Sequence, residues 1–243
     1  MDLGYVQRQP EVNELYSSGL HQGLASIEYG NPNLNAENSF KTLIEIEGDL
    51  FKHGVFQVVG YYQSMQDYIF LKPTGMYEVN ISGSFPVFVY DQTNATIFGS
   101  DITLAYLFAQ HISASVQVSL LKGNDVKDNI PLIFMPPNNG LAKLSYTFDD
   151  GKNWSNSKVG LSGKYVAKQN HLNDDQDFVP PPEAYFLLGL EAATNRKVGN
   201  NTLQISLRVD NMLNTVYRDY LNRQRYFADD LGINFQVRLG YKF

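Results

Sequence analysis

Over residues 232–243 the side chains alternate: Phe235, Val237, Leu239, Tyr241 and Phe243 occupy one set of positions, and Asn234, Gln236, Arg238 and Lys242 the other. A repeat of two is the repeat of a β-strand, so this segment presents one apolar and one polar face. Two kinds of architecture accept such strands. A soluble sandwich packs its apolar faces on each other, whereas a transmembrane barrel turns them out to lipid and keeps the polar faces inside. The apolar stripe runs to a terminal Phe, as the closing strand of a lipid-facing barrel would.

The same alternation recurs along the chain. Leu203, Ile205, Leu207 and Val209 alternate with polar residues, as do Ile112, Ala114, Val116, Val118 and Leu120, and again Ala142, Leu144, Tyr146 and Phe148. Weaker versions cover 3–8, 40–50, 55–70, 86–106, 159–165 and 184–192, which gives about ten strands. The connections take turns between two classes. Those near 49–53, Gln110, 149–153 and 195–200 are tight and rich in Asp, Asn and Gly, as hairpins require. Those at 9–37, 72–85, 123–137, 170–182 and 211–231 are longer and polar. In an up-and-down sheet alternate connections lie at the same end, so one end is trimmed and the other elaborated. Outer-membrane barrels have that asymmetry, and a tilted crossing needs roughly 9 to 11 residues per strand. Greek-key sandwiches use shorter strands and do not sort their loops so regularly.

Composition narrows the function classes. The formal charge of −6 disfavours nucleic acid, or an anionic surface held by bulk electrostatics. With Cys 0, neither a disulfide framework nor a thiolate site can form. No run approaches the roughly 18 to 20 apolar residues of a spanning helix, and the first residues lack the basic start and apolar stretch of a secretory signal. An exported form is therefore expected to have further sequence ahead of Met1.

Particular residues carry a family likeness. The run Arg8, Gln9, Pro10, Glu11, Val12, Asn13, Glu14, continued by Leu15 to His21, is followed by Gly30, Asn31, Pro32, Asn33, Leu34 and Glu37. Further along come Asp67 to Phe70; Asn94, Ala95, Ile97, Gly99 and Asp101; Ile130 and Pro131 with Pro136 and Pro137; Val209 to Asn214 with Tyr217; and the closing Gly240, Tyr241, Lys242, Phe243. In that order they resemble the TonB-dependent outer-membrane receptors over essentially the whole chain. The resemblance implies a 22-stranded antiparallel barrel with an N-terminal plug, importing iron chelates, cobalamin, glycans or similar scarce nutrients with energy relayed by TonB. Residues 1–243 are then expected to be the C-terminal half of the barrel, about ten of its strands, without the plug. The implied partners are outer-membrane lipid, a small nutrient ligand and, through the missing N-terminal part, the TonB complex. An open half barrel would leave two edges of unpaired backbone groups, each costing on the order of several kcal/mol in lipid, so stable insertion is not expected of these strands alone.

No phosphate loop, nucleophile elbow or metal signature is present, so neither an enzyme nor a cofactor is expected. His21 and His171 fall at the long-loop end, and His53 and His111 at the tight-turn end. His171 beside Asp174 and Asp175 keeps a ten-stranded outer-membrane protease as a distant alternative, and a soluble lectin-like module as a nearer one. Asn173, Asp174, Asp175 and Asp177 offer oxygens for Ca²⁺ without the spacing of a helix-loop-helix site. Trp154, Tyr165, Tyr185 and Tyr241 are candidates for interfacial girdles. Lys143, Lys158, Lys164, Glu191, Arg208, Asp210 and Arg238 are expected to face the lumen. His21 and Tyr29 are the candidate ligand contacts, and the resemblance makes Phe243 part of a C-terminal assembly signal.

Overall fold

A computed structural model describes residues 1–243. The chain forms strands β1 (Asp2–Arg8), β2 (Ser18–His21), β3 (Ser26–Tyr29), β4 (Glu37–Leu50), β5 (Gly54–Asn80), β6 (Gly83–Ala109) and β7 (Ile112–Asp125). It continues through β8 (Ile130–Pro131), β9 (Asn139–Thr147), β10 (Trp154–Val166), β11 (Tyr185–Val198), β12 (Asn201–Asp210) and β13 (Asn234–Lys242). One short helix, α1 (Val12–Tyr16), lies in the first long connection. Ten strands form one antiparallel path in the order β1-β4-β5-β6-β7-β9-β10-β11-β12-β13. Each pairs with its neighbours along the chain, and β1 and β13 pair on one side only, so the sheet is open.

Directly opposed residues share a face, which allows each face to be followed across the sheet. One carries Lys41, Glu45, Gln57, Asp101, Gln117, Lys143, Ser162, Glu191, Arg208 and Gln236. The other carries Ile44, Val58, Ile102, Val118, Leu161, Leu190, Leu207 and Val237, and its larger members stay exposed: Leu161 44%, Val237 69%. No second sheet covers it, which rules out the sandwich alternative. The sheet is thus one layer, apolar on one side and polar on the other. Only 28 of the 243 residues are buried, and the apolar ones among them, including Ile27, Met65, Val87, Phe88, Leu132 and Tyr220, gather at the long-loop end.

The connections sort as expected, with one correction. Residues 51–53, 110–111, 148–153 and 199–200 make the short end. Residues 72–85, however, are not a loop: β5 and β6 continue as a two-stranded arm to a turn at Ile81 and Ser82. Pro73, Gly75 and Pro86 read as strand breakers in the sequence. The arm absorbs them at a register shift between Pro73 and Tyr77, where Gly75 takes φ +73° and Thr74 Oγ1 donates to Val87 O at 2.8 Å. The connection at 9–36 also holds more order than its polarity suggested, namely α1 and the β2–β3 hairpin. β3 runs parallel to β6, Ile27 to Tyr29 against Val87 to Val89, along an edge that β7 leaves free once it ends at Asp125.

Candidate binding surface at the long-loop end

The first long connection is held by a charged knot. Arg8, at the end of β1, donates to Glu14 of α1 (3.1 and 2.9 Å) and to Glu37 at the start of β4 (3.1 Å). Glu14 also accepts from the Glu11 backbone N–H at 2.7 Å, satisfying one of the free donors at the helix start. Glu37 accepts from the Ile69 N–H, which ties in β5. Gly30 passes so close to α1 that a Cβ there would lie 2.5 Å from the Leu15 backbone carbon, and its N–H donates to Ser17 O at 2.8 Å. The likeness-bearing residues Arg8, Glu14, Gly30 and Glu37 therefore meet in one place, which fixes where the connection leaves and re-enters the wall.

The last long connection is shaped by Asn211 and Asn214, both at positive φ (51° and 50°). The buried Asn211 side chain donates to Thr215 O and Leu231 O and accepts from the Thr215 N–H, closing the base of the loop on itself. From that base the loop carries two arginines across to other loops. Arg223 donates to Glu28 at 2.8 Å and to Ser26 at 2.7 Å, with its guanidinium 4.5 Å over the Phe88 ring. Arg225 pairs with Asp177, and both side chains are almost completely buried. Tyr226 donates to the second Asp177 oxygen at 2.6 Å, and Tyr220 and Tyr226 present their rings to the Arg225 guanidinium at 4.9 and 4.8 Å. Burial, reinforced by Asp177, raises the Tyr226 phenol pKa, so the hydroxyl stays a donor.

Aromatic contacts complete this cap. Phe88, fully buried, meets Phe178 edge-on at 5.2 Å, and Phe178 meets Tyr77 on the β5–β6 arm at 5.1 Å. Gln169 and Gln176 donate to Met135 O and Pro131 O, joining residues 167–184 to 126–138. All five long-end connections are thereby fastened into one body. Below it, on the polar face, lies a hollow of about 410 Å³ lined by Lys143, Lys164, Glu191, Arg208 and Asp210, with Tyr217 and Leu231 at its upper rim. Lys158 pairs with Glu191 at 3.7 Å and Arg208 with Asp210 at 2.8 Å, while Arg238 shares the face through its register with Ser206. The surface can thus offer charge of both signs to a polar body.

The residues singled out from the sequence are dispersed. His21 and Tyr29 terminate β2 and β3 at opposite ends of their small ribbon, so the structure does not bring them together. His21 is exposed, whereas the Tyr29 hydroxyl donates to Glu78 at 3.0 Å. Phe243 is 94% exposed, its ring 5.1 Å from Tyr241. His171 meets Asn124 (2.7 Å) rather than Asp174 or Asp175, and Asp177 turns into the cap instead of joining an acidic cluster. Trp154, Tyr165 and Tyr241 sit at the ends of the apolar face, with Arg196 5.0 Å over Trp154. Tyr185 does not belong with them. It falls on the polar face, buried, and donates to Asp219 at 2.8 Å. The alternation assigns a residue to a face only when the register is known, and at the first residue of β11 it was not. Sequence reading also missed the arginines at 223 and 225, whose partners Glu28 and Asp177 lie far off in the chain.

A family model described as "TonB dependent receptor-like, beta-barrel" matches residues 3–212. Among solved structures, the chain is similar to the copper transporter OprC, at 20% identity and a TM-score of 0.76, covering 99% of this chain and 36% of that one. The ferric enterobactin receptor PfeA from Pseudomonas aeruginosa matches at 14% identity and 0.62, over 99% and 37%. The FrpB iron transporter from Neisseria meningitidis matches at 18% and 0.60, over 90% and 33%. At these identities the likeness is one of fold, and the chain spans about a third of the length of each. No curated protein sequence matches significantly.

Proposed function

This chain belongs to the TonB-dependent receptor β-barrel family, and from that premise we propose that it supplies the C-terminal part of the barrel of a receptor that takes up a scarce small nutrient, an iron chelate or similar. The family is one of Gram-negative outer-membrane barrels. Its apolar face meets lipid, its polar face lines the lumen, and the long-loop end faces outward. The observation that supports a binding role best is the fastened loop cap above a lumen wall of mixed charge. A wall needs no such cap merely to be a wall, whereas a receptor needs a shaped outer surface held in one geometry before ligand arrives.

In this reading β1 and β13 take up the strands of the remaining barrel, which relieves their unpaired edges. The plug lies against the polar face, and TonB is reached through the N-terminal part. The three similar structures are named for copper, iron and ferric enterobactin, and small metal-bearing cargo is the class proposed here. His21, exposed on the β2–β3 ribbon, is the better placed of the two ligand candidates, because Tyr29 is already engaged by Glu78. Phe243, exposed beyond β13, is proposed as part of the assembly signal. Deleting it is expected to lower insertion of the receptor in cells, and unchanged insertion would remove that role.

The test of the main proposal is uptake. Cells whose only receptor for a ferric chelate contains this chain are expected to accumulate labelled iron, and to stop when TonB is deleted. Accumulation that persists without TonB, or no binding of any chelate by the purified receptor, would overturn it. A protease reading finds no support, since His171 is paired with an amide and the sheet is open.

A further inference from the structure

The lipid-facing wall is breached between β5 and β6. Gly60 and Ser100 are cross-strand partners on it, and nothing lies within 4 Å of the point where a Cβ on Gly60 would stand. Ile44 and Leu120 flank the pair in register. One step toward the outer end, Tyr62 and Phe98 rise above them as the next opposed pair. Two small residues framed by larger ones leave a groove of about 570 Å³ with an almost wholly apolar lining.

The groove ends at a cation. Lys122 is the register partner of Phe98 and so shares its outward face. Its neighbours point the other way: Leu121 packs on the cluster of Met65, Ala95, Leu132 and Met135, and a Cβ on Gly123 would lie 2.8 Å from the Met135 sulfur. Lys122 is exposed, and the lysine ion pairs of the chain are those of Lys72, Lys158 and Lys168. Lys122 stands ten residues beyond Ile112, the first residue of β7. That is about 33 Å of strand, or about 25 Å of height at a tilt of roughly 40°, which is the full height of a barrel's apolar band. The ammonium thus emerges where the hydrocarbon ends on the outer side.

We propose that this groove seats an outer-leaflet lipid with a phosphate-bearing headgroup, the phosphate meeting Lys122 and an acyl chain lying over Gly60 and Ser100. An unpaired ammonium at the boundary favours an anionic headgroup over a zwitterionic one, which would bring a cation of its own. The apolar trough below fixes one chain instead of the shifting contact that a smooth wall makes. The inference concerns the outside of the barrel and does not depend on what passes through the inside.

The test uses the whole receptor containing this chain, reconstituted in nanodiscs of equimolar phosphatidylcholine and lipid A, and counts retained lipids by native mass spectrometry. Lipid A is expected to be retained in preference. Lys122→Gln is expected to lower that retention about fivefold, Gly60→Leu to lower it by filling the groove, and Lys52→Gln, at the opposite end, to leave it unchanged. Retention that does not discriminate between the two lipids would overturn the proposal. So would a Lys122→Gln variant that keeps lipid A fully, or a Lys52→Gln variant that loses it as much.

Discussion

At the turn end, four connections of two to six residues close neighbouring strands, and the side chains there are free enough for an aromatic pair such as Tyr146 with Phe148 to stand exposed on the apolar face. At the loop end, side chains bury one another: Phe88, Arg225 and Asp177 are almost without exposure. The wall is held by backbone ladders and the solvent on its two sides, and the cap by specific side-chain contacts. The contrast teaches where sequence is constrained. Turn-end residues need only suit a hairpin or an interface, whereas a single loop-end residue can hold two loops at once.

The largest expected break in that comparison is at Arg225. Removing it strands the buried Asp177 carboxylate, a loss of about 3 to 5 kcal/mol. Arg225→Ala in the whole receptor should open residues 167–184 and 211–233 to protease while the barrel keeps its heat-modifiable migration. Loss of that migration would mean that wall and cap are not separable. Next in size is a paired test of the wall. Leu104→Arg, on the lipid face near mid-height, should cost about 2 to 4 kcal/mol in reconstitution equilibria. Thr103→Arg, one residue away and facing the lumen beside Gln57 and Gln117, should cost far less. Equal losses would contradict the assignment of faces.

A smaller effect is expected at Gly30. A methyl group there meets the Leu15 backbone, and overpacking of that kind costs about 1 to 3 kcal/mol. Gly30→Ala should therefore increase proteolysis within 9–36 more than elsewhere in the cap. The smallest is a pH effect at His171. Its folded pKa lies below the ordinary 6.5, through burial first and Lys122 second. The unfolded segment therefore binds the proton more readily. The stabilisation is complete above about pH 6.5 and is lost as the pH falls through the lowered value. Hydrogen exchange in 167–184 should accelerate on acidification, and His171→Gln should flatten that dependence.

Much of the wall was legible in the sequence because its rule is local. Period-two alternation needs no knowledge of partners, so ten strands and the sorting of their connections followed from it. The β5–β6 arm escaped because Pro73, Gly75 and Pro86 are breakers in a regular strand and tolerated at a bulge, and only the register reveals the bulge. The likeness-bearing residues pointed to the family without saying why they matter. The Arg8, Glu14 and Glu37 knot and the close pass at Gly30 provide the reason. The cap was illegible, since Arg223, Arg225 and Asp177 acquire their roles only through partners far off in the chain, and in isolation each reads as a solvated loop charge.

The order in which the strands pair has a consequence for how the molecule is made. Every ladder of the wall joins strands that follow one another among its ten, so the wall can be zipped one pair at a time with modest loop entropy to overcome. The contacts of the cap are the opposite. Arg223 reaches Glu28 across 195 residues, and Gln224 reaches Gly23 across 201. These contacts can close only after the strands between their partners have been paired, so the outer surface is the last part to mature, and until then its loops are exposed to proteases and quality control.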